Sequence, residues 1–100
     1  MNHSRISIGK DKAIELASTN WWELCSPREI AEFQLFTNEL CMPFAVFHEA
    51  VEKSLGRSVW THEFAYIDGI IAEFLGERPA PTIVDILRLI PENKRIIVNL

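Results

Sequence analysis

The chain has 100 residues, 48% of them apolar and 24% charged. That composition excludes a disordered or low-complexity protein and fits one small globular domain burying roughly 60–65% of its unfolded surface. Ten cations against 14 carboxylates leave a net charge of −4, which excludes the basic stripe that direct nucleic-acid binding needs and falls short of the charge density of a DNA mimic.

Residues 5–8 alternate polar and apolar side chains ahead of Gly9 and read as a short strand. Residues 95–100 are rich in β-branched side chains after a Pro-Glu-Asn-Lys turn and read as a second strand. Two lone strands at opposite ends most economically pair with each other, within the chain or across a dimer. Between them the pattern is helical. A first helix starts near Asp11 and ends before Asn20, with Ala13, Ile14 and Ala17 on one face. Ser26-Pro27-Arg28-Glu29 is a capping box with proline at the first helical position, opening a second helix over residues 27–37 that buries Ile30, Phe33 and Phe36 or Leu35. Pro43 opens a third, whose Phe44, Phe47, Val51 and Leu55 form a stripe that Gly56 ends as a left-handed cap. Thr61 is placed to cap a fourth, with Phe64, Ile67, Ile71 and Phe74 as its buried stripe up to Gly76. Thr82 and Asp85 box the start of a short fifth, which carries Ile83, Ile86, Leu87 and Ile90 before Pro91. The expected fold is mainly α (α+β): five short helices with a small two-stranded β ribbon formed by the N- and C-terminal strands, in a single domain over residues 1–100.

No apolar run reaches the ~18 residues that span a bilayer, so no membrane role is expected. The polar first dozen residues, and two cysteines that form no CxxC pair, point to a cytoplasmic protein with reduced thiols. Metal binding fails on spacing: His48 and Glu52 are i, i+4, but Cys25, Cys41, His3 and His62 are dispersed. His48 then reads as an exposed histidine among acids. Cys41, between Leu40 and Met42, reads as a buried structural thiol rather than a nucleophile, because no orienting Asn or Asp completes a triad with a histidine. Residues 27–55 have the length of a helix-turn-helix, yet the outward face of the second helix (Ala45, His48, Glu49, Glu52, Lys53) is net negative and offers nothing to base edges. No enzyme, cofactor or catalytic residue is expected.

Two stretches remain. Trp21-Trp22 belongs to an aromatic supply slightly beyond what one small core needs, and a partner surface or a homo-oligomer is its outlet. A protein-binding face containing Trp21 or Trp22 and rimmed by Glu23, Glu49 and Glu52 is the leading expectation. In Gly56-Arg57-Ser58-Val59-Trp60-Thr61-His62-Glu63, most residues have structural work: Val59 and Trp60 plug the core, Thr61 caps, and Glu63 complements a helix dipole. The alternative is a small-ligand or nucleotide pocket using Arg57, Trp60 and His62 at a helix N-terminus.

The segments WWELCSPREIAEFQLFTNELCMPFAVFHEAVEKSLGRSVWTHEF and PAPTIVDILRLIPENKRIIV resemble small uncharacterised proteins encoded by tailed phages and prophages, a family of unknown function, over about residues 12–98. The signature residues are Leu40-Cys41-Met42-Pro43-Phe44, Gly56-Arg57 with Trp60-Thr61-His62-Glu63-Phe64, and Ile90-Pro91 with the closing strand. The resemblance implies an accessory protein in a bacterial cytoplasm, of the size phages keep for takeover and counter-defence. A host or defence protein is then the expected partner.

Overall fold

A computed structural model describes residues 4–88. Five α-helices carry them: α1 (Lys10–Ala17), α2 (Pro27–Leu35), α3 (Phe44–Leu55), α4 (Ile67–Phe74) and α5 (Ile83–Leu87). Two 3₁₀ turns, Trp21–Leu24 and Thr61–Tyr66, lie before α2 and before α4. The chain divides into two compact units, one ending at Val59 and the other beginning at Trp60. Among the described residues no helix is long and apolar enough to cross a membrane.

Local chemistry sets most helix ends in the first unit. Asn20 stands in the left-handed region (φ 54°, ψ 33°), which its short polar side chain tolerates, and turns the chain into the first 3₁₀ turn. At α2 the Ser26 hydroxyl accepts the Glu29 N–H (3.2 Å) and the Glu29 carboxylate accepts the Ser26 N–H (2.9 Å). These backbone and hydroxyl bonds hold the Glu29 carboxyl below its ordinary range. Gly56 takes the left-handed conformation (φ 72°, ψ 28°) that closes α3. Helices α2 and α3 pack on each other, burying Ile30, Ala31 and Leu35 from one and Phe47, Ala50 and Val51 from the other. Phe33 is exposed at the edge of this layer, because Ala31, Gln34 and Leu35 take the inward face of α2.

Helix α2 stops at Leu35, two residues earlier than its periodicity suggests. Thr37 is buried, and its hydroxyl donates to the Phe33 carbonyl at 2.7 Å. Gln34, 2% exposed, organises the α2–α3 connection: its amide nitrogen donates to the Glu39 carbonyl (2.7 Å) and the Thr37 carbonyl (3.3 Å), and its oxygen accepts the Cys41 N–H (2.7 Å). One side chain thus satisfies three backbone groups of that connection.

The expected two-stranded ribbon is not supported. Among the described residues there is no strand, and the N-terminal segment pairs with the α2–α3 connection through an isolated parallel bridge, Ile6 to Thr37. The Ile6 N–H donates to the Phe36 carbonyl (2.8 Å), and the Ile6 carbonyl accepts the Asn38 N–H (2.9 Å). Arg5 donates through Nε to the Leu35 carbonyl (2.8 Å) and through Nη2 to the Thr37 carbonyl (2.7 Å). The last carbonyls of a helix lack intrahelical donors and carry partial negative charge, so a guanidinium beside them is favoured. The Glu39 carboxylate completes the clasp by accepting from the Ser7 hydroxyl (2.6 Å), the Ile8 N–H (2.9 Å) and the Gly9 N–H (3.2 Å). Residues 95–100, expected as the other strand, lie outside the described residues.

In the second unit the start of the expected fourth helix is different. Thr61 is exposed and makes no side-chain cap. Residues 61–66 wind as a 3₁₀ turn, and α4 begins only at Ile67. The Trp60 N–H donates to Glu63 Oε2 at 2.8 Å, so Glu63 serves the turn through a direct backbone bond and is itself buried (3% exposed). Trp60, expected as a core plug, is 43% exposed. Ile70, Ile71 and Phe74 are the buried face of α4, with Gly69 among them. Thr82 and Asp85 form the expected box, with bonds of 3.2 and 3.1 Å. Of the α5 stripe only Ile86 is buried; Ile83 and Leu87 are exposed, and Ile90 and Pro91 lie outside the described residues.

Replacing Gln34 by Ala strands the buried Cys41 N–H and removes donors from two carbonyls, so urea melts should show a loss of about 2–4 kcal/mol. The Ser7 hydroxyl, followed by the Ile8 N–H, holds the Glu39 carboxyl below its ordinary value of 4.5. With the folded value below the unfolded one, the clasp acts fully above the unfolded value and is lost as pH falls through the depressed folded value. Amide-exchange protection at Ile8 and Gly9 should therefore drop on acidification below pH ~4, and this dependence should vanish in Glu39→Gln.

Candidate functional site

The 3₁₀ turn after Asn20 gives the two adjacent indoles different directions. Trp21 turns inward: its Nε1–H donates to the Cys41 carbonyl (3.2 Å) and its ring meets Phe33 edge-on, centroids 4.7 Å apart. Trp22 crosses Trp21 at 78° and lines an open groove of about 420 Å³ in the first unit. Cys25, Pro27, Ile30, Val46 and Ala50 line the groove with it. Its charged edge is the Lys53–Glu49 pair, one turn apart on α3 at 3.0 Å. Leu24, two residues beyond Trp22 on the same turn, is 93% exposed. An apolar recess lined by a half-buried indole is suited to receiving apolar side chains.

Of the five residues expected at a partner face, the structure brings Trp22 and Glu49 to this groove. Trp21 is held by Cys41 and Phe33, and Glu23 is exposed on the turn. Glu52 is engaged within its own unit, where its Oε2 accepts the Val59 N–H at 2.8 Å. His48, expected as an exposed histidine, is half-buried; its Nε2 donates to the Val59 carbonyl at 2.5 Å and lies 3.5 Å from Glu52 Oε2. Two side chains one turn apart on α3 thereby take both backbone polar groups of Val59, so the sequence-level acidic cluster around His48 is a fastening for the loop after α3.

The residues of the alternative pocket are dispersed over different tasks. Arg57, directly after the Gly56 cap, donates to the Ser58 carbonyl at 2.9 Å in the first unit. Trp60 and His62 are exposed at the start of the second unit, with the Trp60 N–H taken by Glu63. Cys41 is fully buried, its thiol donating to the Glu39 carbonyl (3.4 Å). Burial first, and the Glu39 charge second, push that thiol above its ordinary range. Cys25 is half-buried, donating to the Trp21 carbonyl at 3.6 Å.

Sequence reasoning missed a second recess, a cleft of about 270 Å³ within the second unit. Tyr66, Ile70 and Glu73 reach it from the turn and α4, and Arg78, Asp85 and Arg88 from the stretch after α4. Its floor is Gly69: a Cβ there would stand 2.8 Å from the Tyr66 ring and 3.0 Å from Arg78 Nη1. The only local sign was a glycine inside an otherwise apolar helical pattern, which marks close approach by another group.

A family model described as a domain of unknown function, DUF7736, matches residues 27–81. Neither a curated protein nor a solved structure matches the chain. The matched stretch runs from the first residue of α2 to Pro81, so it contains both groove helices and the floor of the cleft but neither Trp22 nor α5.

The two indoles should separate in a stability measurement. Trp21→Ala removes a hydrogen bond and an aromatic contact and should cost about 2–3 kcal/mol in a chemical melt, whereas Trp22→Ala should cost about 1 kcal/mol or less.

Proposed function

The chain belongs to the DUF7736 family, and on that footing we propose that it acts by binding another protein, with the Trp22 groove of the first unit as the docking surface. The observation that carries this reading is a half-buried Trp22 lining an apolar groove, on a turn whose Leu24 is 93% exposed. Tryptophan is the side chain most enriched at energetic centres of interfaces, and apolar groups held open beside a recess mark recognition surfaces. The Lys53–Glu49 pair at the edge supplies a polar rim that orients a partner without adding much affinity. A non-catalytic role accords with the buried state and raised pKa of Cys41, which disfavour its thiolate. That the partner is a host or defence protein, and that the chain is a phage or prophage accessory factor, rests on the resemblance of its sequence segments alone.

Capture from bacterial lysate by the wild-type chain, compared with Trp22→Ala and Leu24→Asp, tests the surface. Partners bound specifically by the wild type should be lost from both variants while circular dichroism stays unchanged, as expected for hot-spot side chains worth about 2 kcal/mol or more each. Retention of those partners by the two folded variants removes the groove as the docking surface.

A further inference from the structure

We propose that residues 4–9 form a displaceable strap, and that the edge beneath them receives an extended, arginine-bearing peptide of another protein in the strap's place. The edge consists of the Leu35, Phe36 and Thr37 carbonyls, the Asn38 N–H and the Glu39 carboxylate. None of these residues lines the Trp22 groove, and the proposal does not rest on that groove as a docking surface.

The chain itself displays the mode of binding. The strap lies along the connection after α2 as an added segment: Ile6 donates to the Phe36 carbonyl (2.8 Å) and accepts the Asn38 N–H (2.9 Å), on either side of Thr37. Extended peptides add to an exposed backbone edge in this way, main-chain bonds giving affinity and side chains selecting the sequence. Two side chains do the selecting here. The Arg5 fork spans the Leu35 and Thr37 carbonyls at 2.8 and 2.7 Å, where the open end of α2 favours a cation. The Ser7 hydroxyl meets the Glu39 carboxylate at 2.6 Å. An edge of carbonyl and carboxylate acceptors with a single N–H calls for a donor-rich segment, and a guanidinium presents its donors in a fixed plane.

The way the strap is held makes it displaceable. No residue from 4 to 9 is buried, and Ile6 is 67% exposed. Its attachment is therefore mainly polar, and polar groups that part at a surface are met by water. Segments held by exposed hydrogen bonds with little apolar burial open locally, ahead of the packed core. Gly9 (φ 85°) joins the strap to α1, and a Cβ there would meet nothing within 4 Å, so the backbone has room to swing. The tethered strap competes with a free peptide at an effective concentration on the order of millimolar, which keeps the intact chain largely self-blocked.

Amide exchange on the wild-type chain reads the opening: the N–H groups of Ile6, Ile8, Gly9 and Asn38 should be protected about tenfold less, or lower still, than those of Leu35 and Val51. A synthetic peptide of residues 4–9, blocked at both ends, reads the edge. In nuclear magnetic resonance titrations it should shift the Asn38 amide of the Arg5→Ala and Ile6→Pro chains, whose own straps have each lost part of their attachment. The wild-type chain should bind it about tenfold more weakly or worse. The same peptide with alanine in place of its arginine should bind either variant about tenfold more weakly. Ile6 is exposed, so its variant stays informative even if Arg5→Ala unfolds. The proposal is overturned if the four strap amides exchange as slowly as Leu35 and Val51, or if no folded variant binds the peptide. It is equally overturned if the wild type binds the peptide as tightly as the variants, or if the alanine peptide binds as well as the parent.

Discussion

The first unit depends on one buried carboxamide. Gln34 has one acceptor and two donor hydrogens, and it spends them on the Cys41 N–H and the carbonyls of Thr37 and Glu39. Those groups belong to a connection that must leave the C-terminus of α2 and reach Pro43 at the start of α3 while burying Thr37, Cys41 and Met42. Backbone removed from water needs partners, and a non-helical connection has no ladder of its own to supply them. With Gln34 in place the connection becomes a rigid template. Arg5 and Ile6 dock on one part of it, the Trp21 indole donates to another, and Glu39 reaches back to residues 7–9. The placement of Trp21 is a consequence of this template, and so is the direction left to Trp22.

The stretch that looks most like a site in the sequence is in part joinery, supplied by Gly56 and Glu63 within it and by His48 and Glu52 from α3. Gly56 reverses the chain, and His48 and Glu52 bond the carbonyl and amide of Val59. Glu63, three residues further on than Trp60, bonds the Trp60 amide. A carbonyl can only accept, so the His48 hydrogen sits on Nε2 in this arrangement. A helix-to-turn passage leaves backbone groups unsatisfied, and within this stretch Arg57 and Glu63 each bond one of them, while the side chains of Trp60, Thr61 and His62 are exposed. Arg57, exposed Trp60 and exposed His62 stand along that passage without sharing either recess.

The two recesses differ in chemistry as well as in place. Among the described residues one is lined by apolar side chains of α2 and α3 with Trp22 and Cys25, and by the Lys53–Glu49 ion pair. The other is lined by both signs of charge around a glycine floor. An apolar groove gains from burying area, with little demand on geometry, whereas a charged cleft repays only a ligand whose own charges are placed to match.

Local rules written into the chain determined the starts of α2 and α5 and the end of α3. The capping boxes at Ser26 and Thr82 and the stop at Gly56 each depend on residues within about one helical turn and stand as the sequence implies, whereas of the expected α3 stripe Phe47 and Val51 are buried and Phe44 is exposed. Burial of Cys41 was legible too, from its apolar neighbours. Long-range pairing was not. Whether residues 5–8 would seek another strand or the open end of α2 depends on which orphan carbonyls lie nearest, a matter of distances across 30 or more residues. Which of two adjacent indoles turns inward, why Glu63 is buried, and why a glycine at position 69 leaves room for a ring and a guanidinium were likewise decided by packing, because each depends on partners that only the folded chain brings within a few ångströms.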